Sequence, residues 1–168
     1  MKADRSSVPS AAPGESLAPV RERPGAALAP DEMAGAGKQP AQAPRILILE
    51  DDYLIAMQME AALLQAGFDV AGIATSAEEA IELAASEGPA LVVADIRLAG
   101  KRDGIDVAIE LFRDHGIRTI FATAHHTQEA RRRAKPATPL GWLPKPYTMA
   151  SLVQVVRQAL SDIRDEKR

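Results

Sequence analysis

Five side chains in this chain have the types and spacing to do chemistry together: Glu50, Asp51, Asp95, Thr123 and Lys145. Each lies at the end of a short apolar run or just past it. In an open parallel sheet such positions share one edge, where α/β proteins place their chemistry. Carboxylates gathered there repel one another, and desolvation adds to the cost. A hard divalent cation resolves this, and Mg2+ suits a carboxylate site that keeps waters and takes a phosphate oxygen. Lysine and threonine beside the acids are partners for a phosphoryl group. Asp95 is then a candidate carboxylate nucleophile that forms an aspartyl phosphate. The metal and Lys145 would stabilise an in-line transition state.

The elements that must position these groups alternate regularly. Arg45 to Leu49 is a continuous apolar strand that ends in Glu50, Asp51 and Asp52. A helix is expected over about 52–65, with Ile55, Met59, Ala62, Leu63 and Ala66 on its buried face and Gly67 as its stop. Residues 68–73 make a second strand. Ser76 and Glu79 form a capping box for a helix over about 76–87. Leu91-Val92-Val93-Ala94 is rich in β-branched residues, follows Gly88-Pro89 and ends in Asp95, as a strand buried on both faces does. A helix over about 104–115 presents Ile105, Ala108, Ile109 and Phe112. Thr119 to Ala122 is a fourth strand that ends at Thr123. A weakly marked helix over about 127–134 follows, then a short strand at Leu140 to Leu143. The last helix runs over about 149–162, with Met149, Leu152, Val153, Val156 and Leu160 as its stripe. This is a (βα)5 pattern, an α/β fold with a doubly wound parallel sheet.

Composition narrows the remaining possibilities. The chain has 168 residues, a formal net charge of −3 and no cysteine. The charge offers no electrostatic reason for direct nucleic-acid binding. Disulfides and thiol chemistry are excluded. No apolar run approaches the ~18 residues of a membrane span, and the first residues lack the core of a secretory signal. A cytoplasmic location is the expectation. Residues 1–44 carry seven of the twelve prolines and no hydrophobic period, as a disordered Pro/Ala-rich tail does. Gly35-Ala36-Gly37-Lys38 fails as a phosphate loop, because Glu32 and Gln39 occupy positions that need glycine and Ser/Thr.

With these residues in place, 45–168 resembles a response-regulator receiver domain. The intervals are 95 − 51 = 44, 123 − 95 = 28 and 145 − 123 = 22, close to those usual in the family. The resemblance implies a flavodoxin-like receiver fold with strand order 2-1-3-4-5. It implies Asp95 as phosphoacceptor, with Mg2+ bound by Asp51, Asp95 and the backbone carbonyl of Arg97, and by Glu50 through water. Thr123 and Lys145 would contact the phosphoryl group, and Lys145–Pro146 would be a cis peptide. Asp52 is surplus to the set and reads as a helix N-terminal residue. Trp142 stands where the family usually has Tyr or Phe. Phe121-Ala122-Thr123-Ala124 and Leu143-Pro144-Lys145-Pro146 resemble a subgroup of stand-alone receivers with a Phe-Ala-Thr motif and a degenerate fourth helix, although that subgroup usually has glycine where Ala124 stands.

The implied function is that of a stand-alone response regulator in a two-component phosphorelay. It would take a phosphoryl group from a histidine kinase or phosphotransfer protein onto Asp95, and signal to a downstream protein target. It would have no enzymatic output beyond its own phosphorylation and dephosphorylation. The chain ends soon after its last helix, which is the basis of the stand-alone expectation. A homodimer through the face from the fourth strand to the fifth helix is a further expectation. The alternative is a receiver-fold module that binds partners whether phosphorylated or not, with Trp142 as its main support. A dehalogenase-type hydrolase would need an aspartate at 97, where Arg97 stands. His125-His126 read as loop residues at the mouth of the site, with His125 placed to overhang a phosphoryl group. Arg131-Arg132-Arg133 read as a solvated helix face.

Overall fold

The computed structural model describes residues 43–168; the expected tail therefore lies almost wholly outside the described residues. Five strands and five helices alternate: β1 (Arg45–Leu49), α1 (Tyr53–Gln65), β2 (Asp69–Ala74), α2 (Ala77–Glu87), β3 (Leu91–Ala94), α3 (Gly104–His115), β4 (Arg118–Thr123), α4 (Gln128–Ala134), β5 (Gly141–Pro144) and α5 (Met149–Glu166). All strand pairs are parallel, in the order β2-β1-β3-β4-β5. The expected fold class and strand order are both met.

The strands carry no polar alternation because both faces of the sheet are covered. Leu47, Leu49, Val92, Ala94 and Phe121 face α2, α3 and α4. Ile46, Ile48, Leu91, Val93, Ile120 and Ala122 face α1 and α5. Side-chain oxygens cap all five helices. Asp52, Ser76, Asp103, Thr127 and Thr148 each accept from backbone N–H groups of the first turn that would otherwise lack a partner. Asp52 therefore acts at the helix terminus, as expected. The expected capping box at α2 is only half present. Ser76 accepts from Glu79 N, but the Glu79 carboxylate reaches one residue further back, to the N–H and hydroxyl of Thr75. The reciprocal box forms at α3 instead, between Asp103 and Asp106.

Two helix faces differ from expectation. α1 buries Ala56, Met59 and Leu63, while Ile55, Ala62 and Ala66 lie half-buried at the margin toward α5. α3 buries Val107 and Leu111 beside Ile105 and Ala108, while Ile109 and Phe112 are only half-buried. α3 lies between α2 and α4, so its buried arc is wider than a single stripe. α4 is short, as its weak marking implied. It continues into one 3-10 turn, Lys135–Ala137.

The start of α3 is pressed onto the end of β3. Gly104 donates its N–H to Ile96 O at 2.8 Å, and a Cβ at this position would lie 1.9 Å from the carbonyl oxygen of Asp95. Only glycine fits, and the atom it would strike is backbone. Gly104→Ala should therefore lower stability by about 1–3 kcal/mol, although alanine is the better helix former. Urea unfolding measures this as a lower midpoint at unchanged slope; a midpoint equal to the native one would show that the loop yields freely.

Candidate functional site

The sheet order brings β1 and β3 side by side, so Glu50 and Asp95 emerge together at the carboxyl edge. Both are nearly out of solvent, with Glu50 2% and Asp95 9% exposed. Lys145, just past β5, reaches back across β4. Its Nζ lies 2.6 Å from Asp95 Oδ2 and 2.8 Å from Glu50 Oε2. The Lys145–Pro146 peptide is cis, as the resemblance implied. One cation thus stands between two buried carboxylates. The other oxygen of Asp95, Oδ1, accepts the N–H of Arg97 at 3.2 Å.

The electrostatics follow from that arrangement. Burial pushes the Glu50 carboxyl above its ordinary range, and the bond and charge of Lys145 offset only part of this. Burial also works against the Lys145 ammonium. Its bonds to Asp95 and Glu50 outweigh that and raise its pKa, so the lysine is cationic at neutral pH. Nearby, the Tyr147 hydroxyl is raised by burial and has no hydrogen-bond partner.

Not every expected residue joins this cluster. Asp51 is exposed, and its Oδ2 accepts the N–H of Ala99 in the β3–α3 loop at 3.0 Å. Glu50, Asp51 and Asp95 therefore do not stand as an assembled trio. Among the described residues no group of three or more His, Cys, Asp or Glu side chains is placed to hold a metal. The reason is visible: Lys145 bonds two of the acids, and the third is tied to a loop. In chemistry the donors still fit Mg2+. They are hard carboxylate oxygens that carry more negative charge than one lysine balances. Thr123 is fully buried at the end of β4, and its hydroxyl oxygen accepts the N–H of His125 at 3.0 Å. That leaves its own proton free to donate.

Beside Asp95, the β3–α3 loop and the start of α4 enclose a cleft of about 500 Å3. Arg97, Lys101, Arg102 and Arg133 line it with His125, and Asp103 and Glu129 offset part of their charge. The arginine run is exposed, as expected, yet two of its members are engaged. Arg133 bonds Asp103 at 2.8 Å and Asp106 at 3.3 Å, tying α4 to the cap of α3. These bonds outweigh the effect of burial and hold the Asp103 carboxyl below its usual range. Arg131 lies over the Trp142 ring, 4.8 Å from its centre. Trp142 in turn packs on Phe121 at 4.8 Å between ring centres. Arg132 pairs only with Glu129 on the surface of α4. Gly104, Asp103 and Arg133 were missed as site neighbours. The Asp-x-x-Asp spacing at the start of α3 was the available signal for its cap; nothing local marks the arginine that meets it.

Residues 46–157 match the family model for the response regulator receiver domain. The chain belongs to this family. Among curated proteins, the receiver is 33% identical over 121 residues to the transcriptional regulatory protein PdtaR of Mycobacterium tuberculosis; the match covers 72% of this chain and 58% of that one. It is 36% identical over 119 residues to the phyllosphere-induced regulator PhyR of Methylorubrum extorquens, covering 70% of this chain and 44% of that one. The chain thus spans about half the length of these relatives. Among solved structures, the signal receiver domain of a modulated diguanylate cyclase from Desulfovibrio desulfuricans superposes with a TM-score of 0.68 at 32% identity, covering 74% of this chain and 98% of that one. No helix among the described residues is long and apolar enough to cross a membrane.

Removing the amine from this receiver leaves two buried carboxylates without a counter-charge. Lys145→Met should lose about 1–3 kcal/mol at neutral pH. The sign of the pH dependence follows from the raised Glu50 pKa: a folded state that binds protons more readily than the unfolded chain gains stability as pH falls. The deficit of Lys145→Met should therefore shrink as pH falls from neutrality toward the ordinary carboxylate range. Urea titrations of both proteins across that range test this, and a deficit that is constant or grows on acidification would refute it.

Proposed function

We propose that this receiver accepts a phosphoryl group on Asp95 from the phosphohistidine of a histidine kinase or phosphotransfer protein, and signals through contacts with other proteins. The observation that carries the proposal is the Lys145 amine held between two buried carboxylates at the edge of the sheet. An Asp95 oxygen attacks phosphorus, and a mixed-anhydride O–P bond forms. The P–N bond breaks, and its electron pair returns to the donor imidazole. Lys145 offsets the negative charge that gathers on the phosphoryl oxygens, and the Thr123 hydroxyl donates its free proton to one of them. Glu50 is the buried acid that keeps Lys145 within reach when its bond to Asp95 Oδ2 is given up.

Mg2+ bound here would neutralise charge on the transferring group. Asp51, Asp95 and the carbonyl of Arg97 are the groups to hold it, with Glu50 acting through water. Asp51 Oδ2 already accepts the N–H of Ala99, so a cation held by Asp51 would share its carboxylate with the β3–α3 loop. The same loop packs on Gly104, and the cap of α3 is tied to α4 through Arg133. A change at Asp95 thereby has a mechanical path to α4.

The alternative, a module that binds partners whatever its phosphorylation state, draws on Trp142. That ring is held on one side by Phe121 and covered by Arg131, where a freely rotating switch residue would need space. One experiment separates the two. With Mg2+ and a small acyl-phosphate donor, the native chain should gain one acid-stable, base-labile phosphoryl group by intact mass. Asp95→Asn and a chelator should each abolish it. A native chain that stays unmodified with Mg2+ present would favour the constitutive module.

A further inference from the structure

Among the described residues, two buried side-chain oxygens have no hydrogen-bond partner, the hydroxyls of Thr119 and Tyr147. Thr119 lies near the start of β4, away from the carboxyl edge. Tyr147 lies at that edge, two residues past Lys145 and just past the cis peptide. Its ring packs into the core between the sheet and helices α1 and α5. The charges that act on its hydroxyl are those of Lys145, Glu50 and Asp95. A buried phenol without a partner lowers stability, and phenylalanine would fill the same space without that penalty. Nothing in the phosphoryl-transfer chemistry at Asp95 uses the hydroxyl.

Strand geometry explains how the hydroxyl comes to lie among those charges. Residues two apart along a strand share a face. Ile48, Val93 and Leu143 belong to the core on the α1 and α5 side of the sheet. Glu50, Asp95 and Lys145 each stand two residues after one of them, and Tyr147 packs against the same side. Two donors therefore serve two carboxylates. The Lys145 amine donates to both, and the Tyr147 phenol donates to neither. Glu50 has room for a further donor. Its Oε2 accepts from Lys145, and its Oε1 has a long bond from the Asp52 N–H at 3.4 Å, whereas a carboxylate has about four acceptor sites.

We propose that Tyr147 is a positioning residue for phosphoryl transfer, whose hydroxyl donates to Glu50 once the Lys145 amine turns from Asp95 to the phosphoryl group. The proposal rests on the reading of Asp95 as phosphoacceptor. A phosphoryl group brings further negative charge to an amine that already serves two carboxylates, and its bond to Glu50 weakens as its charge is shared. Glu50 is buried, and a buried carboxylate that loses its partner is destabilising. The phenol makes up that loss with a neutral donor, which leaves the lysine charge to the phosphoryl oxygens. Tyr147 thus acts through Glu50 and Lys145 and touches no reacting atom.

A double-mutant cycle tests this with no phosphoryl group present. Urea unfolding at neutral pH compares the native full-length chain with Tyr147→Phe, Lys145→Met and the two combined, and circular dichroism verifies that each is folded. Tyr147→Phe alone should leave the unfolding equilibrium unchanged, or shift it up to about threefold toward the folded state. With Lys145→Met, where Glu50 has lost its amine, the same substitution should shift it about tenfold toward unfolding. Equal effects in the two backgrounds, as a purely structural hydroxyl would give, overturn the proposal. A second measurement uses the native chain, so it holds even where Lys145→Met does not fold. The ring Cζ resonance of Tyr147 in carbon-13 NMR, identified by its loss in Tyr147→Phe, should move downfield when Mg2+ and an acyl-phosphate donor are added. A chain that gains the phosphoryl group while this resonance stays in place overturns the role of Tyr147 and leaves the reading of Asp95 standing. A chain that gains none removes that reading, and with it the role in transfer.

Discussion

Much of this structure depends on one amine. Lys145 stands between Glu50 and Asp95 at bonding distance from both, and both carboxylates are largely out of solvent. Without the lysine, the carboxyl edge of the sheet would hold two buried like charges side by side. With it, β1, β3 and the residue after β5 are linked across the intervening β4. The parallel order of the strands is what makes this possible, because it sends residues from distant points of the chain to the same edge. The interaction therefore ties topology to chemistry: the charge that steadies the fold is the charge a phosphoryl group would meet.

The regular parts of the fold were legible because short-range rules govern them. Continuous apolar runs marked strands covered on both faces, and Ser, Thr and Asp marked helix starts. Thr123 and Lys145 could be read because their types and intervals are those of a known family. What stayed hidden was long-range and geometric. The closeness of Gly104 to the Asp95 carbonyl is a property of two backbones in space, and a glycine after an aspartate reads equally well as a turn. The pairing of Arg133 with Asp103 and Asp106 joins residues about thirty apart, and a run of three arginines gives no hint which one reaches α3. Asp51 stands just past β1, but its carboxylate faces Ala99 N, and no spacing rule shows that a loop has claimed it.

The burial pattern of α1 shows the same limit from the other side. A helix with apolar residues all round yields no single stripe, so the inner face can be chosen only when the sheet beneath it is known. Ala56, Met59 and Leu63 take that face, and the larger side chains of Leu54 and Leu64 are left outside. The domain does not need them for its own core.

The position of Trp142 has a practical consequence. It is the single tryptophan of the chain, it rests on Phe121 of the neighbouring β4, and the guanidinium of Arg131 from α4 covers it. An indole under a cation is sensitive to the removal of that cation. The emission of this one residue is therefore an intrinsic optical gauge of whether α4 is seated or displaced. It needs no label, and it reports on the contact between β5 and α4 directly.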